Sequence, residues 1–570
     1  MRWSSGLAKA ILVVSIVVSR PLAGSVAVWA QPSREVVELQ ATLESLAAGG
    51  EPALVSAAGL TRNNTPLWTL ENLAPFDSGS TAHRLVLVGG LDGNVDSARM
   101  VLDALRWFKE DASEAEKQGW IVSALPLAEP MSDDGRPPAR FPPVDGFFDH
   151  SARPESRYLW RWVTYQAPDL VVEFRVGADF SLRVVDIATN QADGSLAAAL
   201  VDRRAPEGLG SVETFVAIAR PEAGATVMRE VLARASAQRS GLRAALAGRI
   251  ERSPLDVARV LAQRYPETPA MSYIPALAWV HTLRLARLTG DTSLRGKVLE
   301  HIRPWVSGEQ PLFGDTVRLS AVAGTMVFGE LQTSSESDRE VMLRLAAEGV
   351  AQAAAERSPG VPQYGSGWSD DLFLGTIAAV RAGDTVGLGA ATRLILHYAQ
   401  RLQQPNGLFQ HAVDAPVAWG RGNGFAALGL AESLTYIPES HPERDLILNM
   451  YTKLMEALKP LQEPSGMYRQ LIDFPGAYHE FTSTSMIGYS MTRGIRLGWI
   501  DNSYLDTVHA AWTGIKERID EEGNIVDGCT GSGVMDNRLS YLDRPANSGY
   551  DDRSGSMALW FAAEIANLER

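Results

Sequence analysis

Three loop segments hold the side chains best suited to chemistry. Pro405 to Phe425 reads PNGLFQHAVDAPVAWGRGNGF: a glycine turn, a histidine, then a Trp-Gly-Arg-Gly-Asn-Gly run ahead of an apolar stretch, Phe425 to Leu434, with helical spacing. Arg421, set between glycines, presents a planar and permanently charged fork with little steric cover, suited to bidentate capture of a carboxylate. Trp419 offers an apolar face to a sugar ring, and the helix N-terminus that follows favours an anion. The alternative is that GRGNG is only a flexible turn. Leu312-Phe-Gly-Asp315 and Trp368-Ser-Asp-Asp371 both end in carboxylates ahead of a helix, and Asp315 and Asp370 stand 55 residues apart. His411 and Arg421 belong to the next loop along. Taken singly, each Asp reads as a helix N-cap and His411 as a loop histidine bonded to backbone. Together, four polar groups from three loops point to one pocket.

The elements that must position these loops are helices. After Ser253, long segments carry apolar residues at helical spacing, with few strand-like runs. They include Ala276 to Leu288, Val317 to Leu331, Glu340 to Ala355, Asp371 to Arg381, Thr392 to Leu402, Asn423 to Leu434, Asp445 to Leu458, Ser483 to Leu497, Ser503 to Ile519 and Ser556 to Leu568. Asn406-Gly-Leu-Phe409, Ser465-Gly-Met-Tyr468 and Glu522-Gly-Asn-Ile525 each follow one helix and precede another. Their glycines, Gly407, Gly466 and Gly523, are 59 and 57 residues apart, the length of two helices with connections. The region 255–570 thus holds about six helical hairpins, enough to close into an (α/α)6 toroid with the site loops at one mouth. An open solenoid is the alternative.

A chain of 570 residues exceeds one ordinary core. Residues 33–240 read as a separate α/β domain. Arg84 to Gly90, Trp120 to Leu125, Asp169 to Phe174 and Phe215 to Ala219 are strand-like, with helices at Ser97 to Phe108 and Glu155 to Tyr165. This alternation predicts a largely parallel sheet. Hydrophobic content of 45% and charged content of 21% are those of a globular protein, and a net charge of -14 argues against nucleic acid as a partner. Residues 1–30 read as an export signal: Arg2 and Lys9, the apolar run Ala10 to Val18, then Val28-Trp29-Ala30 as a cleavage site. A secreted or periplasmic protein without stable membrane insertion is expected. The single cysteine, Cys529, reads as a small buried apolar residue, so no internal disulfide forms.

Two resemblances follow from these residues. In the first half, GLTRNNTPLWTLE (59–71), LVGGLDGNVDSA (87–98) and APDLVVEFRVG (167–177) resemble the framework of the zinc carboxypeptidases. Asp92, Val95 and Arg175 occupy the three ligand positions, and an arginine cannot coordinate zinc. A carboxypeptidase-like fold without its metal is expected, with a binding or spacer role, and with His83 and His150 at the surface. The second half resembles the unsaturated glucuronyl and rhamnogalacturonyl hydrolases of glycoside hydrolase families 88 and 105. The resemblance rests on WGRGNGF (419–425), WSDDLFL (368–374), GLFQH (407–411), EFTSTSMIGYSMTRGIRLGWID (480–501) and TGD (289–291). Phe425 stands where the family has a second tryptophan, and Asp315 is placed by spacing alone.

This second resemblance implies removal of a 4,5-unsaturated uronic acid from the non-reducing end of lyase-generated oligosaccharides by hydration of a vinyl ether. An acid protonates C4, positive charge spreads to C5 and the ring oxygen, water adds at C5, and the hemiketal collapses. The implied proton donor is Asp370, with Asp315 steadying the cation; adjacent carboxylates favour the protonated form of such an acid. Arg421 would bind the uronate, and His411 a ring hydroxyl or the water. Trp419, Tyr273 and Phe425 would contact the sugar. This chemistry needs no metal or organic cofactor. Two other readings remain open at this level: a non-catalytic carbohydrate-binding or scaffold protein with two decayed enzyme domains, and a peptidase using the first half. Oligomeric state is not legible.

Overall fold

The computed structural model describes residues 33–74, 76, 79–130, 139–143, 154–186, 194–202, 208–331, 336–531 and 533–570. The expected export signal and His150 lie outside the described residues.

Among the described residues, the first half contains seven strands: β1 (Ala53–Leu60), β2 (Pro66–Asn72), β3 (His83–Val88), β4 (Trp120–Leu125), β5 (Leu170–Val176), β6 (Ser181–Val184) and β7 (Glu213–Ala219). They form one sheet in the order β1-β2-β4-β3-β5-β7-β6. The four expected strands form its parallel centre, with Leu85 beside both Val122 and Leu170. Their apolar runs are buried on both faces, as parallel strands under helices require. The expectation of a largely parallel sheet needs correction at its margins. β1 and β2 form an antiparallel hairpin, β2 joins β4 antiparallel, and β6 lies antiparallel to β7. Of the positions compared with zinc ligands, Asp92 is exposed and accepts from the Asn94 amide, while Arg175 pairs with Glu173. His83 is half-buried against Trp120.

The second half is a ring. Among the described residues, six inner elements follow one another: Tyr273–Thr289, the pair Leu319–Gly324 and Met326–Leu331, the pair Asp371–Leu374 and Ile377–Ala382, Gly420–Tyr436, Phe481–Arg496 and Asp552–Leu568. Each packs on the next, and the last packs on the first. Thr292–Val306, Glu336–Ala353, Thr385–Leu402, Arg444–Leu458 and Leu505–Glu517 each pack outside the inner element they follow. The final inner helix, Asp552–Leu568, is covered by Pro254–Arg264 from the start of the ring, and this contact closes the toroid.

The repeated glycine turns fit the outer layer. Gly407 has φ +94 and Gly466 φ +77, a region that side chains rarely adopt. A β-carbon at Gly407 would lie 2.5 Å from the Lys453 carbonyl oxygen, and one at Gly466 2.0 Å from that of Ala510. Each turn thus lies against the next outer helix. The turn at Gly523 lies against Val260 and Arg264 of the first one, completing the circle.

The far end of the ring carries a charged residue on each inner element, with alternating sign, namely Arg284, Glu330, Arg381, Glu432, Arg493 and Glu564. Each of these stands about three helical turns along its element. Arg287 and Arg496 join them at Glu330 and Glu564. Arg381 Nη2 lies 2.8 Å from Glu432, Arg493 Nε lies 2.7 Å from Glu564, and Arg284 reaches Glu330 at 3.3 Å and Glu432 at 3.5 Å. Burial would raise the Glu432 carboxyl, but Arg284, Arg381 and Arg493 outweigh it and hold the group down at about 2.

The two halves share buried contacts. Arg161 meets Asp527 at 2.8 Å, the Arg518 guanidinium lies 3.7 Å over the Tyr165 ring, and Arg469 Nη2 donates to Ser56 Oγ at 2.7 Å. Leu60, Leu67 and Tyr158 of the sheet domain join Trp419, Leu471, Tyr478, Cys529 and Tyr541 of the ring in one apolar cluster.

Candidate active site

The site lies at the N-terminal ends of two adjacent inner elements. The helix expected from Phe425 begins at Gly420, so Arg421 stands in its first turn and Trp419 at its N-cap. GRGNG is therefore neither a flexible turn nor an open presentation of arginine. Its glycines permit close approach: a β-carbon at Gly420 would lie 2.5 Å from the Arg469 carbonyl oxygen, and one at Gly422 2.5 Å from Ser369 Oγ. Asn423 has a structural task. Its Nδ2 donates to the carbonyls of Phe409 and Trp419 at 2.8 and 3.0 Å, and its Oδ1 accepts from the Phe409 amide at 2.8 Å. The Ser369 amide donates to the His411 carbonyl at 2.8 Å. These bonds bind the Asp370 loop, the His411 loop and the Arg421 helix into one unit.

Asp370 stands at the N-cap of Asp371–Leu374, yet its side chain caps nothing. Other acids at comparable positions behave differently: Asp384, Glu480 and Asp551 each accept a backbone amide. Asp370 is 8% exposed, and its buried Oδ2 has no hydrogen-bond partner. That oxygen lies 3.6 Å from His411 Nε2, which is also buried without a partner. Buried polar atoms left open in this way are uncommon and need a reason. Asp371 is the reverse case, since its carboxylate accepts from Ser366 Oγ, the Gly367 amide and Tyr398 Oη at 2.7 to 2.8 Å. Burial raises the Asp371 carboxyl despite those donors, and the charge of Asp370 adds to the effect.

His411 is fully buried and held from behind. Its Nδ1 lies 2.6 Å from Tyr541 Oη, and that oxygen accepts from the Met535 amide at 3.3 Å. Where the Tyr541 hydroxyl donates to Nδ1, the ring hydrogen sits on Nε2 and is aimed at Asp370.

Several expected contacts need correction. Trp419 has no exposed face for a sugar: it is fully buried, 4.3 Å from the His411 ring and 4.4 Å beneath the Arg421 guanidinium. Trp368 is the half-exposed aromatic of this cluster, 5.5 Å from His411. Phe425 is buried between Tyr273 and Phe373 and acts as core. Tyr273 is half-buried, and its hydroxyl accepts from Arg553 Nε at 3.1 Å. Arg421 is 3% exposed, and its Nη1 donates to the carbonyls of Cys529 and Thr530 at 3.1 and 2.8 Å. Asp315 is exposed four residues ahead of its helix, which begins at Leu319. No hydrogen bond or ion pair joins Asp315 to Asp370, His411 or Arg421.

Two members of this mouth escape the sequence. Tyr541 follows the last repeat turn and carries no repeat signature. Arg553 is half-buried in the first turn of Asp552–Leu568, beside Tyr273 and the Cys529 carbonyl. Burial pushes the Cys529 thiol up to about 11, so it is not a ready nucleophile near neutrality.

Comparison with known proteins bears on the second half of the chain. Residues 347–569 match the model for Glycosyl Hydrolase Family 88. The unsaturated rhamnogalacturonyl hydrolase YesR of Bacillus subtilis is 26% identical over 267 residues, 44% of this chain and 74% of that protein. An unsaturated 3S-rhamnoglycuronyl hydrolase of an Alteromonas species is 28% identical over 113 residues, 19% of this chain and 27% of that protein. A solved structure described as a possible member of the GH105 family from Klebsiella pneumoniae is 18% identical, covering 57% of this chain and 93% of that one, with a TM-score of 0.49. The C-terminal half is thus similar to glycoside hydrolases of family 88. The chain is a glycoside hydrolase.

Proposed function

We propose that this protein removes a 4,5-unsaturated uronic acid from the non-reducing end of lyase-generated oligosaccharides by hydrating the vinyl ether. The observation that carries this reading is the open, buried Oδ2 of Asp370 facing His411 Nε2. A carboxylic acid whose oxygen is left without a partner can place its proton on C4 of the double bond. The cation then spreads over C5 and the ring oxygen. Asp370, now a carboxylate, faces the Nε2 hydrogen of His411, which steadies it while it draws a proton from the water adding at C5. The hemiketal at C5 then opens and releases the neighbouring sugar. Arg421 and Arg553 supply positive charge for the uronate carboxylate, and Trp368 supplies the apolar face for the sugar. Asp315 has no part in this reading.

The wider organisation belongs to the same proposal: an export signal over 1–30, a carboxypeptidase-like domain without zinc ligands over 33–240, and the hydrolase domain over 255–570. Zinc analysis of the purified protein tests the middle element, since stoichiometric zinc would revive a peptidase.

The deciding experiment is incubation with lyase products of pectin and of glycosaminoglycans, following loss of the conjugated-alkene ultraviolet absorbance. Absorbance is expected to fall with release of the shortened saccharide, and in heavy water the product carries deuterium at C4. Cleavage of saturated uronides with no action on unsaturated ones would overturn the reading. Tyr541→Phe is expected to lower kcat by about tenfold to a hundredfold and to move the pH profile, because it frees the Nδ1 end of His411. An unchanged profile would remove Tyr541 from the machinery.

A further inference from the structure

We propose that the sheet domain of the first half holds the Arg421 end of the pocket in place, with Arg161 and Arg469 as positioning residues. This inference rests on the functional reading only for its kinetic consequence.

The segment Trp419-Gly420-Arg421 is gripped from two sides. On one side, the Gly420 amide donates to the Gln470 carbonyl at 2.7 Å. The preceding residue, Arg469, is buried against the sheet domain. Its Nη2 donates to Ser56 Oγ at 2.7 Å, its Nη1 to the Ala57 carbonyl at 3.2 Å, and its Nε to Glu463 at 2.6 Å. Ser56 Oγ in turn donates to Glu463 Oε2 at 2.7 Å, closing the loop of bonds.

On the other side, the carbonyls of Cys529 and Thr530 receive Arg421. Two residues before Cys529 stands Asp527, fully buried and at φ +68, a left-handed backbone that a non-glycine residue holds only when its surroundings enforce it. Its carboxylate is what enforces it here. Arg161, from the sheet domain's helix Pro154–Tyr165, meets it at 2.8 Å, and Arg518 of the ring meets it at 3.1 Å. Arg518 itself lies 3.7 Å over Tyr165 of the same helix. Behind both grips, Leu60, Leu67 and Tyr158 pack into the cluster that contains Trp419 and Tyr541. Both of these grips thus reach the sheet domain within a few bonds. The sheet domain is thus built into the half that carries Asp370 and His411.

The test uses the full chain with Arg161→Met and Arg161→Lys. Amide hydrogen exchange is followed over 419–424 and 525–531, with no substrate present. Methionine is expected to speed exchange in both stretches by about tenfold while the helix Phe481–Arg496 stays protected, and lysine to restore part of the protection. With unsaturated substrate, KM is expected to rise about tenfold with kcat within about twofold. Faster exchange confined to 154–165 and 525–527, without reaching 419–424, would overturn the proposal. So would unchanged exchange. If local exchange responds but the wild type turns over no unsaturated saccharide, the functional reading fails and this one stands. Should Arg161→Met not fold, Ser56→Ala removes a single contact of Arg469 and is read over 419–424 and 468–471 by the same criteria.

Discussion

Asp370→Asn is expected to lower kcat about a thousandfold or more while leaving KM and the unfolding midpoint near wild type. Asparagine keeps the shape of the side chain, and the native carboxylate caps no backbone amide, so the fold loses no bond. What disappears is the only group at Oδ2 able to give up a proton and then accept one. The neighbouring acid provides the control. Asp371 accepts three hydrogen bonds from Ser366, Gly367 and Tyr398 that tie down the 366–371 loop. Asp371→Asn turns one acceptor oxygen into an amide facing donors, so it is expected to lower stability together with activity. The two variants therefore separate chemistry from support. An Asp370→Asn enzyme that keeps more than about a tenth of the wild-type rate would remove Asp370 as the acid.

Much of the ring was legible because burial of one helix face writes a period into the sequence. The inner helices at 420–436, 481–496 and 552–568 carry that period, and the glycine turns mark their spacing. Two outer helices escaped for local reasons. Thr292–Val306 contains Gly296 and Pro304, both poor helix residues, and Pro254–Arg264 is short. β1 escaped because the run Ser56-Ala-Ala-Gly59 lacks the branched and aromatic residues that signal a strand. The site was legible in its residue types and less so in their exposure. Asp370, His411 and Arg421 do share one mouth. A motif, however, does not say which of its aromatics face outward. Trp419 turned out to be the floor under Arg421, whereas Trp368, part of the same acid motif, is the half-exposed ring. Glycines before Phe425 suggested a loop, because glycine is a weak helix former; close packing against Ser369 and Arg469 overrides that preference. Tyr541 lies 130 residues from His411, a distance that no local pattern bridges.

Glu432→Gln is expected to cost about 3–5 kcal/mol of stability. Glu432 is fully buried and faces Arg284, Arg381 and Arg493, with Tyr489 donating to it as well. Removing its charge leaves Arg284 and Arg381 sharing Glu330 with Arg287, and Arg493 sharing Glu564 with Arg496. Arginine cannot shed its proton to escape, so the strain goes into the fold. Replacing the pair Arg381 and Glu432 together by apolar residues of similar volume is expected to cost much less, because both desolvation penalties leave at once. The sign of the pH dependence follows from the same contacts. Glu432 is held at about 2 in the fold, against an ordinary value of 4.5. Its contribution is therefore complete above about pH 4.5 and is lost as pH falls toward about 2. Chemical denaturation at pH 7 and at pH 3.5 checks both points. The variant should be much weaker than wild type at neutral pH, with the gap narrowing in acid. A deficit under about 1 kcal/mol at pH 7, or a gap that widens in acid, would show that the alternating charges are a bystander to ring closure.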